Sequence, residues 1–311
     1  MNNLELQLHF AKKIKNIYEE AELYEQLRHD ISSKLDVLAS PEKPNKSLQV
    51  NKNTLMSEDG SEEYIIRNNV VDFCKNEFEN SAKEWARLNK QFLNYHKSLD
   101  VFTLVNSMPL VNYLSERTGL GDIVDMKVVD VGAGTGHAYA SFFKKPEMLD
   151  YYLCDPNLRL LHDQFLRFFP SLTKNKLTHI LCYAEKLPFK SSSVDLVMSL
   201  SSIDHFNDYN LFFQEAHRIL KPGGKIFVAS HLDKENIALV KKESKLKKLF
   251  SATFLERLTR KLYYRKYKVG NDDHTHHFET IEPITKAIKS ANFNLVESEE
   301  YLNNFWVIAE R

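Results

Sequence analysis

Three groups of residues in this 311-residue chain have the types and spacing for chemistry. The first is VVDVGAGTGH, residues 128–137, an apolar run ending in Gly132, Gly134 and Gly136 with Asp130 two places before the first glycine. Glycine lets a backbone turn sharply and lets a ligand reach the main chain, and the free N–H groups of a helix start attract an anionic group. A dinucleotide fingerprint, G-x-G-x-x-G, needs its third glycine at position 137, where His137 stands instead. The second group is SSIDHF and SHLD, which carry Asp204, His205, His231 and Asp233. Imidazole titrates near neutrality, so His205 is the candidate general base for an acceptor hydroxyl. The third is NDDHTHHF, residues 271–278, with Asp272, Asp273, His274, His276 and His277. These are ligand types for a divalent ion, but they suit a substrate-pocket wall first and plain structure second. Neighbours in one loop rarely converge on one ion, and no metal site is assigned.

These residues need elements to hold them. Residues 127–131, 150–155, 178–183, 194–200 and 225–230 read as strands, each followed by a helical or loop segment. That alternation predicts a parallel sheet covered by helices on both faces. Two last strands, 293–299 and 305–309, lie too close in sequence for a parallel crossover and form an expected antiparallel pair. Ahead of them, Leu8, Ala11, Ile14, Tyr18, Ala21, Tyr24, Leu27, Ile31 and Leu35 make one stripe of a long helix over residues 4–38. Residues 40–60, with Pro41, Pro44 and many polar side chains, read as linker. A second helix is expected from an N-cap at Ser61 through Ile66, Val70, Phe73, Trp85, Leu88, Phe92 and Tyr95. The division is thus a helical arm over residues 1–98, a packing or dimerisation element, and an α/β domain over 99–311.

From about residue 100 onward the chain resembles the class I S-adenosylmethionine-dependent methyltransferases of the type 11 kind. Four elements follow G-x-G-x-G in that family's order: YYLCDP, AEKLPFKSSSVDLVMS, HRILKPGGK and the closing strand pair. The resemblance implies a Rossmann-like sheet of seven strands whose last pair is antiparallel. It implies that S-adenosylmethionine is the cofactor, held by Asp130, Gly132, Ala133, Gly134, Thr135 and Gly136, by Asp155 and Pro156 at the ribose, by Ala184 and Glu185 at the adenine, and by Ser199. Tyr183 stands where relatives often carry Asp or Asn toward the adenine amino group. SLSS, residues 199–202, replaces the N-P-P-Y type motif of amino-directed enzymes, so oxygen is the expected target. Methyl transfer is an in-line displacement, so the implied task is alignment and exclusion of water. The expected acceptor is a small molecule, a sugar, or a glycan or lipid-linked intermediate.

Composition bounds the alternatives. Lys+Arg and Asp+Glu are both 42, so no global basicity recruits nucleic acid. Cys74, Cys154 and Cys182 make no framework, and with no signal-like start or long apolar run a cytoplasmic protein is expected. Only nine glycines occur, and five of them fall in the 132–136 loop and the Gly223–Gly224 turn. Within an insertion over residues 232–270, residues 240–268 hold eleven basic and two acidic side chains, with Leu246, Leu249, Phe250, Phe254, Leu258 and Leu262 at helical spacing. This amphipathic basic helix reads as a lid, or as a contact for an anionic acceptor, a membrane surface or RNA, with RNA ranked last. An RNA methyltransferase or RNA-binding protein, and a non-catalytic scaffold that binds the donor, are the competing functions.

Overall fold

The computed structural model describes residues 30–67, 69–74, 101–134, 136–156, 177–233, 274–301 and 303–311. The helical stripe over 4–29, the helix expected over 75–95, and the basic insertion over 234–270 lie outside them. Among the described residues, no helix is long and apolar enough to cross a membrane.

The seven expected strands all form: β6 (Lys127–Val131), β7 (Asp150–Cys154), β8 (Thr178–Leu181), β9 (Val194–Leu200), β10 (Leu220–His231), β11 (Asn294–Tyr301) and β12 (Asn304–Glu310). Their spatial order is β8-β7-β6-β9-β10-β12-β11, with β8 to β10 parallel and β12 antiparallel to both its neighbours. The chain builds outward from β6 through β7 to β8, then crosses back to place β9 on the other side of β6. The carboxyl ends of β6 and β9 therefore flank the point where strand order reverses, which is where open α/β sheets bind ligands.

Alternation along these strands explains the two cores. Val129, Val131, Tyr152, Cys154, Ile226, Val228 and Val307 face one side of the sheet, and Val128, Tyr151, Leu153, Leu196, Phe227, Trp306 and Ile308 the other. A parallel sheet buried on both faces needs such continuous apolar runs. Helices α1 (Val101–Thr118), α2 (His137–Phe142), α3 (Tyr209–Ile219) and α4 (Glu282–Ser290) connect and cover it. The amphipathic spacing of Phe212, Phe213, Ala216 and Ile219 gives α3 its buried face, and Asp208 caps it by accepting from the N–H groups of Asn210 and Leu211. The Gly223–Gly224 turn breaks the register between β10 and β9; a Cβ on Gly224 would lie 2.9 Å from the Lys221 carbonyl oxygen.

The stretch after residue 38 corrects the sequence reading. In place of a linker over 40–60 and a helix starting at Ser61, it forms five strands: β1 (Ala39–Ser40), β2 (Lys43–Asn51), β3 (Thr54–Ser57), β4 (Glu63–Arg67) and β5 (Val70–Asp72). The stripe expected to remain helical to Leu38 is a single 3-10 turn over Ile31–Lys34, with Leu38 bridged to Phe189. The strands run as an antiparallel meander, and β5 then pairs parallel with β8, so one sheet of twelve strands results. The reading failed because a meander covered on one face shows few apolar residues: in β2 only Leu48 is buried. A signal was nonetheless present, since Tyr64, Ile65 and Ile66 and then Val70 and Val71 are strand formers around two asparagines. Leu48, Leu55, Tyr64, Val71 and Phe73 join the same core as Leu187 and Phe189.

That continuity has a measurable consequence. Leu55 is fully buried on β3, so Leu55→Ala is expected to cost about 2–5 kcal/mol. Because its core is shared with the strands from β6 onward, the loss should appear as one lowered transition in urea denaturation. A separate early transition for the meander would contradict a shared core.

Candidate functional site

The glycine loop leaves β6 at the switch point. Gly132, Gly134 and Gly136 all have positive φ, at 71°, 53° and 72°. The N–H groups of Gly132 and Ala133 both donate to the Cys154 carbonyl, at 2.8 and 3.2 Å, which ties the loop to the end of β7. Asp155 follows β7 directly, and its Oδ2 accepts from the Gly134 N–H at 3.1 Å. Among the described residues, none beyond its chain neighbours has an atom within 4 Å of where a Cβ on Gly134 would be, which leaves the main chain there open to approach from those residues' side. Thr135 lies outside the described residues.

Gly132 is required on the opposite side. A Cβ there would come within 2.5 Å of both Cβ and Oγ of Ser202. Ser202 lies in the turn after β9, where its Oγ donates to the Val131 carbonyl at 3.2 Å and pairs with the Ser199 Oγ at 2.7 Å. Ser199 itself is fully buried, so its hydroxyl braces Ser202. The 3-10 turn Ile203–His205 begins at the next residue. The glycine loop and the Asp204–His205 turn are thereby packed against each other through one serine, which sequence reasoning did not single out.

Two of the other expected cofactor residues are placed in surroundings that the sequence did not suggest. Glu185 is buried, and its Oε1 accepts from the N–H groups of Asn207 and Asp208 at 2.6 and 3.0 Å. It ties the loop after β8 to the start of α3. Asp130 is wholly buried, and its Oδ2 accepts from the Tyr151 hydroxyl at 2.7 Å. Ala133, Ala184 and Tyr183 are buried, and Pro156 half-buried, around the ends of β6, β7 and β8.

Burial raises the Asp130 carboxyl to about 7; the hydroxyl of Tyr151 pulls it down in part, and the negative charge of Asp155 pushes it up. In the unfolded chain the group titrates near 3.8. Between those values the native state holds a proton that the unfolded chain has released, so stability falls as pH rises through this window. The full effect is about 4 kcal/mol at most. Urea denaturation is expected to show the loss between about pH 4 and pH 7 in the unaltered protein and a flatter profile in Asp130→Asn. An equal slope in both would remove Asp130 as the cause.

The histidines and acids gather at the carboxyl ends of β9 and β10. Asp204 is almost fully buried, and its Oδ2 lies 3.2 Å from His274 Nδ1, 3.6 Å from His231 Nδ1 and 4.0 Å from His205 Nε2. His231 Nε2 and His274 Nδ1 are 3.1 Å apart. The rings of His205 and His274 meet edge to face at 4.8 Å. His277 Nδ1 pairs with Asp233 Oδ2 at 2.7 Å. Main-chain bonds pin these segments together: the His276 N–H donates to the Asp204 carbonyl, and the Asp233 N–H to that of Phe278. The ring of His276 turns away onto Tyr209 and Phe278. The second and third groups of the sequence thus form one cluster with the exception of the His276 ring; Asp272 and Asp273 lie outside the described residues.

Comparisons with known proteins cover the α/β part of the chain. The profile of a methyltransferase domain matches residues 129–228, from the glycine loop's strand to β10. The demethylmenaquinone methyltransferase of Chlorobaculum tepidum is 26% identical over 212 residues, 66% of this chain and 80% of that protein. A malonyl-[acyl-carrier protein] O-methyltransferase from a Marinomonas species is 26% identical over 180 residues, 58% of this chain and 57% of that protein. Among solved structures, phosphoethanolamine N-methyltransferase 2 of Haemonchus contortus with S-adenosyl-L-methionine is 17% identical, with a TM-score of 0.42 over 64% of this chain and 52% of that one.

Proposed function

We propose that this chain, a class I S-adenosylmethionine-dependent methyltransferase by its sequence match and strand order, methylates an oxygen on a small-molecule or glycan-type acceptor. The observation that carries the reading is the packing of a histidine–aspartate cluster against the glycine loop through Ser202. When bound, the donor supplies a methyl carbon on a positively charged sulfur, which an acceptor lone pair displaces in line.

The glycine loop fits such a donor: its main chain is open at Gly134, and Asp155 closes one side of it. In this reading the loop from Gly132 to Gly136 holds the donor's amino-acid end, and Asp155 accepts from ribose hydroxyls, as a carboxylate does well. Ala184 and Tyr183 line the adenine side, while Asp130, Glu185 and Ser199 hold the loop walls in place through the bonds described above. His205 takes the acceptor's hydroxyl proton, so that oxygen attacks as the stronger nucleophile. Asp204 Oδ2 stands 4.0 Å from His205 Nε2 and 3.2 Å from His274 Nδ1, which sets these rings beside one another at the acceptor end.

A second reading is favoured by one specific observation, the likeness to a demethylmenaquinone methyltransferase over 80% of its length. Removal of a proton from a ring hydroxyl also activates the adjacent ring carbon, so the same cluster serves carbon methylation. Incubation with methyl-labelled S-adenosylmethionine and pools of sugars, phenols, hydroquinones and lipid-linked glycans tests both. Label on an acceptor oxygen supports the first reading, and label on a ring carbon replaces it with the second. Donor binding without transfer to any pool would count against turnover at this site.

A further inference from the structure

We propose that Asp204, His231 and His274 bind a divalent transition-metal ion of the zinc class, with the Asp233–His277 pair as an outer layer. The candidate ligand atoms of the three residues lie within 4.8 Å of one another, and a second such trio, Asp233, His274 and His277, shares His274. Two imidazoles and one carboxylate, with a remaining open position, are the donor set of catalytic zinc sites and of other divalent sites that accept a substrate oxygen. Ligand atoms about 2.0–2.1 Å from a tetrahedral ion stand roughly 3.3 Å apart. The observed contacts of His274 Nδ1, 3.1 Å to His231 Nε2 and 3.2 Å to Asp204 Oδ2, are close to that spacing.

His274 Nδ1 faces both Asp204 Oδ2 and His231 Nε2, and the latter also faces Asp233 Oδ1 at 3.6 Å. A ring nitrogen holds at most one proton, whereas a cation accepts lone pairs from several such atoms at once.

The support around the trio is also of the kind a metal site needs. The three ligands come from the turn after β9, the last residue of β10 and the segment beginning at His274, and main-chain bonds fix the first to the third. Ser230 Oγ lies 3.4 Å from Asp204 Oδ1, the oxygen not aimed at the histidines. A hydroxyl on the far oxygen orients a ligating carboxylate. The ion's chemistry follows from its place beside the glycine loop. It polarises an acceptor oxygen and lowers the pKa of a bound hydroxyl. The acceptors this favours present paired oxygens, such as vicinal hydroxyls, a hydroxy-ketone or a carboxylate; that consequence alone rests on the methyltransferase reading.

The test is binding of the metal itself to the full chain, without acceptor. Co2+ and Zn2+ are titrated into chelator-treated protein, with visible d–d absorption and calorimetry as readouts. One ion per chain is expected, with Co2+ bands of a nitrogen- and oxygen-bound site, and with affinity lowered at least about 100-fold in both Asp204→Asn and His274→Ala. His217→Ala, on α3 against Phe293 and outside the cluster, should bind as the unaltered protein does. Circular dichroism and donor calorimetry on each variant show that it is folded. Absence of binding to the unaltered protein, or equal binding by the folded Asp204→Asn and His274→Ala variants, overturns the site. Donor binding is measured separately, so loss of the methyltransferase reading would show as absent donor binding with the metal result intact.

Discussion

Gly132→Ala is expected to weaken S-adenosylmethionine binding about 100-fold or more, which corresponds to roughly 3 kcal/mol. Two effects add. The residue sits at φ 71°, a left-handed conformation that costs a side-chain-bearing residue about 1–2 kcal/mol. The new Cβ would also lie 2.5 Å from Cβ and Oγ of Ser202, far inside contact distance. Either the loop moves off the ends of β6 and β7, or Ser202 moves and takes the Ile203–His205 turn with it. Calorimetric titration of the donor measures the loss. The double variant Gly132→Ala with Ser202→Gly removes the overlap but not the backbone strain, so it should recover part of the affinity. Unchanged donor affinity in Gly132→Ala would detach this loop from the donor altogether.

His205→Ala is expected to lower kcat by about 10²–10⁴ while leaving the donor dissociation constant as it was. The side chain lies in the turn that Ser202 joins to the glycine loop, close to Asp204 and edge-on to His274. Loss of proton transfer without loss of donor binding is the pattern of a residue that acts on the acceptor. A fall in donor affinity as large as the fall in kcat would instead make His205 a support for the loop. Full activity in His205→Ala would pass the proton-accepting role to His231 or His274, whose rings meet in the same cluster.

The α/β part of the fold was legible because its signals are local. Six of the seven strands from β6 onward carry an apolar run, β11 (NLVESEEY) being the exception, and the three loop glycines stand out in a chain with nine in all. The meander from β1 to β5 was not legible, because its residues are shared between a buried face and a wet one. Pro44 and the polar side chains of β2 resemble a linker until the pairing partners are known. The site divides the same way. Asp155 and the glycines were placed by their motif, whereas Glu185 turned out to bond to the main chain of Asn207 and Asp208, residues that share no motif with it.

Sequence alone therefore placed the glycine loop and Asp155 at the ends of β6 and β7, because a glycine-lined main chain needs its residues contiguous, and contiguity can be read. The histidine–aspartate cluster was assembled only by the tertiary structure. Asp204, His231, Asp233, His274 and His277 are scattered over seventy-odd positions, and for the histidines of residues 271–278 their types alone favoured a pocket wall over plain structure or a metal ligand. The parallel pairing of β9 with β10 and the return of the chain at His274 set their side-chain nitrogens and oxygens a few ångströms apart. Long-range pairing of that kind depends on which strands neighbour each other, a property of the whole sheet that no short stretch of residues encodes.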